Sequence, residues 1–190
     1  WVAEPKRLQW ISERSSMIGG IRESLSLAGS IEVNTPVLQP NYGGASADPF
    51  VTTHNAHGKD LFLRISPELY LKRMVIGGLP FVHEFAVCFR NEGIDRTHNP
   101  EFTLLEFYKV GENYEWGMMM TEFLVKEAIG IEQSYVFPRI SITEEVWNIV
   151  DEGFSDLTPQ GVMEVFEESV EPRLFERYGR GVFVTGHPIE

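Results

Sequence analysis

Residues 88–108, CFRNEGIDRTHNPEFTLLEFY, place the tightest constraint on how this chain folds. The apolar runs FVHEFAVCF and FTLLEFYKV flank a polar loop from about Asn91 to Glu101, and Gly111 bounds the second run. Each run reads as a strand, and the loop makes them antiparallel neighbours. Side chains alternate faces along a strand, so Phe102, Leu104, Glu106 and Tyr108 share one face; if the alternation runs to the strand end, Arg90 and Glu92 share one too. The segment holds two arginines, three glutamates, an aspartate and a histidine, more opposing charge than a solvated hairpin needs. Glu106 is the odd member, because a carboxylate among Leu104, Tyr108 and Phe102 is costly to desolvate without a partner. Two readings stand on the strand pattern alone. One is an internal ion pair of Arg90 with Glu106 or Glu92. The other is a ligand bearing both signs, with phosphate against Arg90 and an ammonium group against Glu106. A guanidinium suits phosphate because its planar fork donates paired bonds and keeps its charge. Phe102 offers a ring for a base, and His98 beside Asn99 offers donors to phosphate oxygens. Neither a P-loop nor a dinucleotide-binding glycine pattern occurs, so a nucleotide would not sit on those folds.

The rest of the chain sets the frame. At 190 residues and 43% hydrophobic content it can bury one sizeable core as a single domain over 1–190. No apolar run approaches a membrane span, and WVAEPKRLQW is not a secretory signal. A net charge of −12 argues against a protein whose main task is gripping nucleic acid through a broad basic surface. The single cysteine, Cys88, excludes an intrachain disulfide, fits a reducing compartment, and reads as a small buried hydrophobe. No zinc-type Cys/His spacing is present, and no metal ligands are read.

Residues 6–28 read as a helix carrying Leu8, Ile11, Ile18, Ile21 and Leu25, stopped by Gly29 and weakened by Gly19–Gly20, so that it needs tertiary or subunit support. SIEVNTPVLQP is a short extended segment confined to an edge or an end by its prolines. NYGGASADPFVTTHNAHGKD is a polar, glycine-containing stretch, and LFLRI is a strand. SPELYLKRMVIGG predicts a helix with Ser66 as N-cap, Pro67 at the first position and Gly77–Gly78 past its end. Trp116, Met119, Met120, Phe123 and Leu124 mark one face of a further helix. A helix over 159–169 and a strand GVFVT close the chain. Hairpin-paired strands without regular crossover helices point to an α+β fold, an antiparallel β-sheet flanked by helices.

FRNEGIDRTHNPEFTLLEFY resembles the second signature motif of class II aminoacyl-tRNA synthetases. IEVNTPVLQPNYGGASADPF resembles the first motif and its continuation, and LFLRISPELYLKRMVIGG completes a pattern similar to that of lysyl-tRNA synthetases. YGGASADPF and PELYLKR favour the lysine enzymes over their aspartate and asparagine relatives. The resemblance covers residues 8–130 and continues weakly to VTGHPIE. It implies ATP-dependent activation of lysine to lysyl-adenylate and transfer to tRNA(Lys). Arg90 is then the catalytic residue holding the α-phosphate of ATP. Glu92, His98 and Asn99 are further ATP contacts, and Phe102 stacks on adenine. Gly44 and Glu68 hold the α-amino end of lysine, and Glu106 and Tyr108 the ε-ammonium end. Glu68 has a plainer reading as an acid offsetting the helix dipole in a first turn. The resemblance further implies a cytoplasmic homodimer built on the first motif, and Mg²⁺ whose ligands lie outside this chain. No Gly-rich third motif is read after residue 130, and no anticodon-binding barrel before residue 1. The expectation is therefore the N-terminal and middle part of a catalytic domain, inactive alone. Two alternatives remain open: the related enzyme that lysylates elongation factor P, and a non-catalytic lysine- or nucleotide-binding derivative.

Overall fold

The computed structural model describes residues 5–95, 98–150, 157–179 and 181–188. Arg96, one of the two arginines of the segment 88–108, lies outside the described residues. The chain divides into two compact units, Trp1–Asn113 and Tyr114–Glu190.

In the first unit, helix α1 runs Pro5–Leu27. It ends where Gly29 takes φ +86° and the Ser30 N–H turns back to the Leu25 carbonyl at 2.9 Å, a closure that favours a residue without Cβ. Of the expected apolar stripe, Leu25 is buried, Ile18 and Ile21 are half-buried, and Leu8 and Ile11 stay exposed. Strand β1 (Ile31–Glu32) pairs with β5 (Phe81–Phe89), which pairs antiparallel with β6 (Glu101–Lys109). A second sheet has the order β2 (Leu38–Gln39), β4 (Lys59–Leu63), β3 (Val51–His54), all antiparallel. Antiparallel pairing with helices is thus the frame, as the hairpin pattern predicts; the β1–β5 contact is parallel. Strand β3 lies inside the stretch read as polar loop. Its residues VTTH are all exposed, so no apolar alternation marks them, while Gly58 at φ +58° completes the turn that returns the chain to β4.

Helix α2 spans Glu68–Ile76, and Pro67 already has helical angles, φ −82° and ψ −4°. Ser66 caps it through its side chain, whose oxygen accepts the Glu68 N–H at 3.0 Å. Past the end, the Gly77 N–H reaches the Arg73 carbonyl and Gly78 takes φ +108°.

The second unit contains α3 (Tyr114–Ile129), β7 (Arg139–Ser141), α4 (Ile142–Val150), α5 (Pro159–Val165), a π-helical turn (Phe166–Val170), α6 (Glu171–Tyr178) and β8 (Phe183–Thr185). Strands β7 and β8 pair in parallel. On α3, Met120 and Leu124 are buried as read, whereas Met119 and Phe123 are exposed; Glu122 and Lys126 are buried instead, as an ion pair of 2.5 Å one helical turn apart. The helix read over 159–169 continues to Tyr178. Its middle turn widens, with the Glu171 N–H bonding the Phe166 carbonyl five residues back. Pro172 follows, and its ring displaces the carbonyl four residues earlier, which a wider turn accommodates. The core of this unit is Ile140, Ile142, Val146, Val162, Phe166, Val170 and Leu174.

Candidate functional site

The site is built on the pairing of β5 with β6. Cys88 stands opposite Phe102, Ala86 opposite Leu104, Glu84 opposite Glu106, and Val82 opposite Tyr108. Residues directly opposite in an antiparallel pair project to the same side, so all eight side chains share one face, including the four that alternation groups on β6. Strand β5 ends at Phe89, so Arg90 and Glu92 lie beyond it and strand alternation does not set their direction. The loop sets it instead: the Arg90 N–H bonds the Pro100 carbonyl at 2.9 Å, and the Asn91 N–H bonds the Asp48 carbonyl at 2.8 Å.

At this end of the face, Arg90, Glu92, Gly93, His98, Asn99 and Phe102 line a cavity of about 230 Å³. The Arg90 guanidinium lies over the Phe102 ring, 5.0 Å from its centre. Its Nε is buried and has no hydrogen-bond partner. Among the described residues no carboxylate lies within ion-pair distance of Arg90, so the internal pair with Glu106 or Glu92 does not form. Glu106 instead accepts from two hydroxyls further along the strand face. His98 is clasped to its own loop: its Nδ1 lies 2.7 Å from Asp95 Oδ2, and its N–H donates to Asp95 Oδ1 at 2.8 Å.

At the other end, Ser66 Oγ donates to Glu106 Oε1 at 2.7 Å and the Tyr108 hydroxyl donates to Glu106 Oε2 at 3.0 Å. Both partners are neutral, and no cation of the described residues pairs with Glu106. Burial, then the Glu106 charge, pushes the Tyr108 phenol well above its ordinary range, so it stays a donor at any physiological pH. Glu68 begins α2 and forms an ion pair of 2.7 Å with Lys72 one turn on, whose ammonium also sits 5.8 Å above the Tyr108 ring. Gly44 is pressed against this corner. At φ +89°, a Cβ on it would come within 2.8 Å of Glu68 Cβ and 3.0 Å of Ser66 Oγ. Any larger residue there collides with the side chains that shape the corner.

The sequence-predicted residues therefore gather into two places on one face: Arg90, Glu92, His98, Asn99 and Phe102 around the cavity, and Gly44, Glu68, Glu106 and Tyr108 at the opposite corner. Cys88 stands level with Phe102 in register; burial pushes its thiol up to about 11, which makes it an inert, buried side chain. Several participants were not read from sequence. Ser66 serves Glu106 as well as its helix, Asp95 orients His98, and Gly93 lines the cavity. Arg64 and Glu84 form a buried ion pair of 2.6 Å beneath the corner. Glu84 has the strand parity that signalled Glu106, and that signal was available in FVHEFAVCF.

Chemically, the arrangement offers one half-buried arginine, its Nε buried, beside a ring at one end and one carboxylate held only by hydroxyls at the other. A family model described as tRNA synthetases class II (D, K and N) matches residues 1–188. A lysine–tRNA ligase of Bordetella bronchiseptica is 53% identical over 115 residues, covering 60% of this chain and 23% of the relative. One from Coxiella burnetii is 46% identical over 147 residues, covering 70% of this chain and 30% of the relative. One from Chloroflexus aurantiacus is 52% identical over 114 residues, covering 60% and 23%. The chain thus spans between 23% and 30% of the length of these relatives.

Proposed function

Because this chain belongs to the class II tRNA synthetases of the D, K and N group, we propose that it forms the lysine- and ATP-binding part of the catalytic domain of a lysine–tRNA ligase. The observation that carries this reading is the separation of unlike charges along one strand face. Arg90 has a buried Nε without a partner, and Glu106 is held by two hydroxyls without a cation. A nucleotide phosphate answers the first and an alkylammonium the second. Both units are read as parts of one domain, since the family match runs through both.

In this reading Phe102 stacks on adenine, Arg90 holds the α-phosphate, and Glu92, His98 and Asn99 complete the nucleotide contacts. Gly44 and Glu68 receive the α-amino group of lysine, and Glu106 with Tyr108 the ε-ammonium. The lysine carboxylate attacks the α-phosphorus, a new P–O bond forms, and pyrophosphate leaves with the electron pair of the broken bond. A carboxylate is already ionised at neutral pH, so no side-chain base is needed. The protein contributes alignment and stabilisation of charge at phosphorus. A ribose hydroxyl of tRNA(Lys) then takes the lysyl group from the adenylate. Mg²⁺ would add charge neutralisation, but among the described residues no three His, Cys, Asp or Glu side chains gather to hold an ion. The reading also implies a cytoplasmic homodimer. Exposed Leu8, Trp10 and Ile11 on α1 support two-fold association through that helix, to be checked by sedimentation. No helix among the described residues is long and apolar enough to cross a membrane.

The test is ATP–pyrophosphate exchange by a full-length protein carrying this sequence. Arg90→Ala should slow exchange by roughly 3 kcal/mol of barrier, the scale of one preorganised charge contact. Glu106→Gln should cost roughly 2–5 kcal/mol in lysine use, as for one partner of a desolvated pair, and leave ATP affinity in the absence of lysine unchanged. Exchange that ignores lysine, or a silent Arg90→Ala, overturns the reading.

A further inference from the structure

Glu84 stands directly across from Glu106, so the two carboxylates project from the same face of neighbouring strands. Like charges in that position repel and destabilise a strand pair. Glu84 is also the deeper of the two, only 1% exposed. Its charge is absorbed by one buried network. Arg64 Nη1 donates to Glu84 Oε1 at 2.6 Å and to the Thr35 carbonyl at 3.1 Å. The Thr35 hydroxyl donates to Glu84 Oε2 at 2.7 Å, and the Thr35 N–H to Oε1 at 3.2 Å. Arg64 Nε donates to the Val87 carbonyl at 2.8 Å. Backbone bonds from Arg64 N–H to the Val37 carbonyl and from Phe89 N–H to the Arg64 carbonyl fix the residue itself. Glu106 receives nothing of this kind. The Cys88 thiol, on the same face, feels the charges of Arg64, Glu106, Glu84 and Arg90 together, which places all four in one electrostatic neighbourhood.

We propose that Arg64 is a positioning residue for the substrate: by neutralising Glu84 where it lies, it leaves Glu106 as the one carboxylate of the facing pair that an incoming ammonium group can claim. The inference rests on the lysine-activating reading above and adds to it a condition on charge balance. Remove Glu84, and the buried guanidinium of Arg64 loses its partner and competes with the substrate for Glu106. Remove both charges together, and the balance at Glu106 is restored although the network is gone. The nucleotide cavity is untouched by either change, because neither residue lines it.

The experiment is lysine-dependent ATP–pyrophosphate exchange by a full-length protein carrying this sequence, with KM for lysine and for ATP measured separately. KM does not depend on how much of a sample is folded, so loss of stability alone leaves it unmoved. Glu84→Gln is expected to raise the lysine KM at least about tenfold with the ATP KM within about threefold, as for a competing charge at a desolvated pair. The neutral double variant Arg64→Met/Glu84→Gln is expected to return the lysine KM to within about threefold of the parent. An unchanged lysine KM in Glu84→Gln, with only yield or kcat reduced, makes the network purely structural and overturns the proposal. So does a double variant as impaired for lysine as the single one. If Glu84→Gln yields no folded protein, the double variant decides by the same threefold criterion. If the parent protein shows no lysine-dependent exchange, the functional reading itself fails and the proposal with it; failure in the variants alone leaves that reading standing.

Discussion

The two units bury different things. In the unit Tyr114–Glu190, the core cluster is aliphatic and aromatic throughout, from Ile140 to Leu174, and the buried Glu122–Lys126 pair of α3 stands outside that cluster. In the unit Trp1–Asn113, Ser30, Thr35, Gln39, Arg64, Ser66, His83 and Glu84 are all buried beside Leu25, Ile65, Leu71 and Val82. Burying an unpaired polar group costs about 1–3 kcal/mol and a charge more, so a core of the second kind survives only if each group finds a partner. Most of them do: Arg64, Thr35 and Glu84 bond one another, Ser30 meets His83, Ser66 meets Glu106, and Gln39 meets the Pro36 carbonyl. The apolar core needs only volume and shape. What the contrast teaches is where specificity is stored: the first unit fixes Arg64 and Glu84 through hydrogen bonds of defined direction, whereas the apolar cluster is held by shape alone.

The comparison can be broken most forcefully at Arg64. Arg64→Met should destabilise the first unit by about 3–5 kcal/mol, because Glu84 is left as an unpaired buried carboxylate. Arg64→Lys should recover little of the loss, since a single ammonium cannot serve Val87, Thr35 and Glu84 at once. Denaturant unfolding measures both. In the apolar core, Ile142→Ala should cost about 3 kcal/mol, but Ile142→Leu under about 1.5 kcal/mol, because volume is what that core requires. Equal tolerance of the conservative change in both units would erase the distinction. A third test uses acid. Burial holds the His83 imidazole below its ordinary range, against the opposing charge of Glu32; Nδ1 faces Ser30 Oγ at 2.8 Å, while the buried Nε2 makes no hydrogen bond and lies 3.9 Å from Glu32 Oε2. With the folded pKa depressed, the contribution is complete above about pH 6.5, the unfolded value, and is lost as pH falls below it, by up to about 1.4 kcal/mol per pH unit. His83→Gln should flatten that slope in a pH series of melts. The smallest effect expected is at the Thr158 cap of α5, which accepts the Gly161 N–H at 3.1 Å; Thr158→Ala should cost about 1 kcal/mol.

Legibility follows from the same difference. Elements with their own punctuation were read closely: α1 with its glycine stop, α2 with Ser66, Pro67 and two glycines, and the β5–β6 hairpin. Strand β3, fully exposed, and β7, three residues long, carry no periodic signal, and α4 follows β7 without a turn residue to separate them. The π-helical turn depends on Pro172 acting backwards on residues that look like an ordinary helix. At the site, the family-like motif delivered the residues facing the cavity. The supporting groups escaped because their partners are distant in sequence: Arg64 and Glu84 are joined through Thr35, and Ser66 meets Glu106 only after the chain folds.

Ser66 has one proton and spends it in one direction. Donating to Glu106, it presents a lone pair to the Glu68 N–H, so a single hydroxyl both founds helix α2 and orients the acid. The same hydroxyl can keep its hold on Glu68 N–H while accepting from, or donating to, an uncharged amide at position 106. The start of the helix is therefore insulated from a change of charge at position 106. Position 106 can exchange its carboxylate for an amide without refounding the helix, provided position 66 keeps its oxygen.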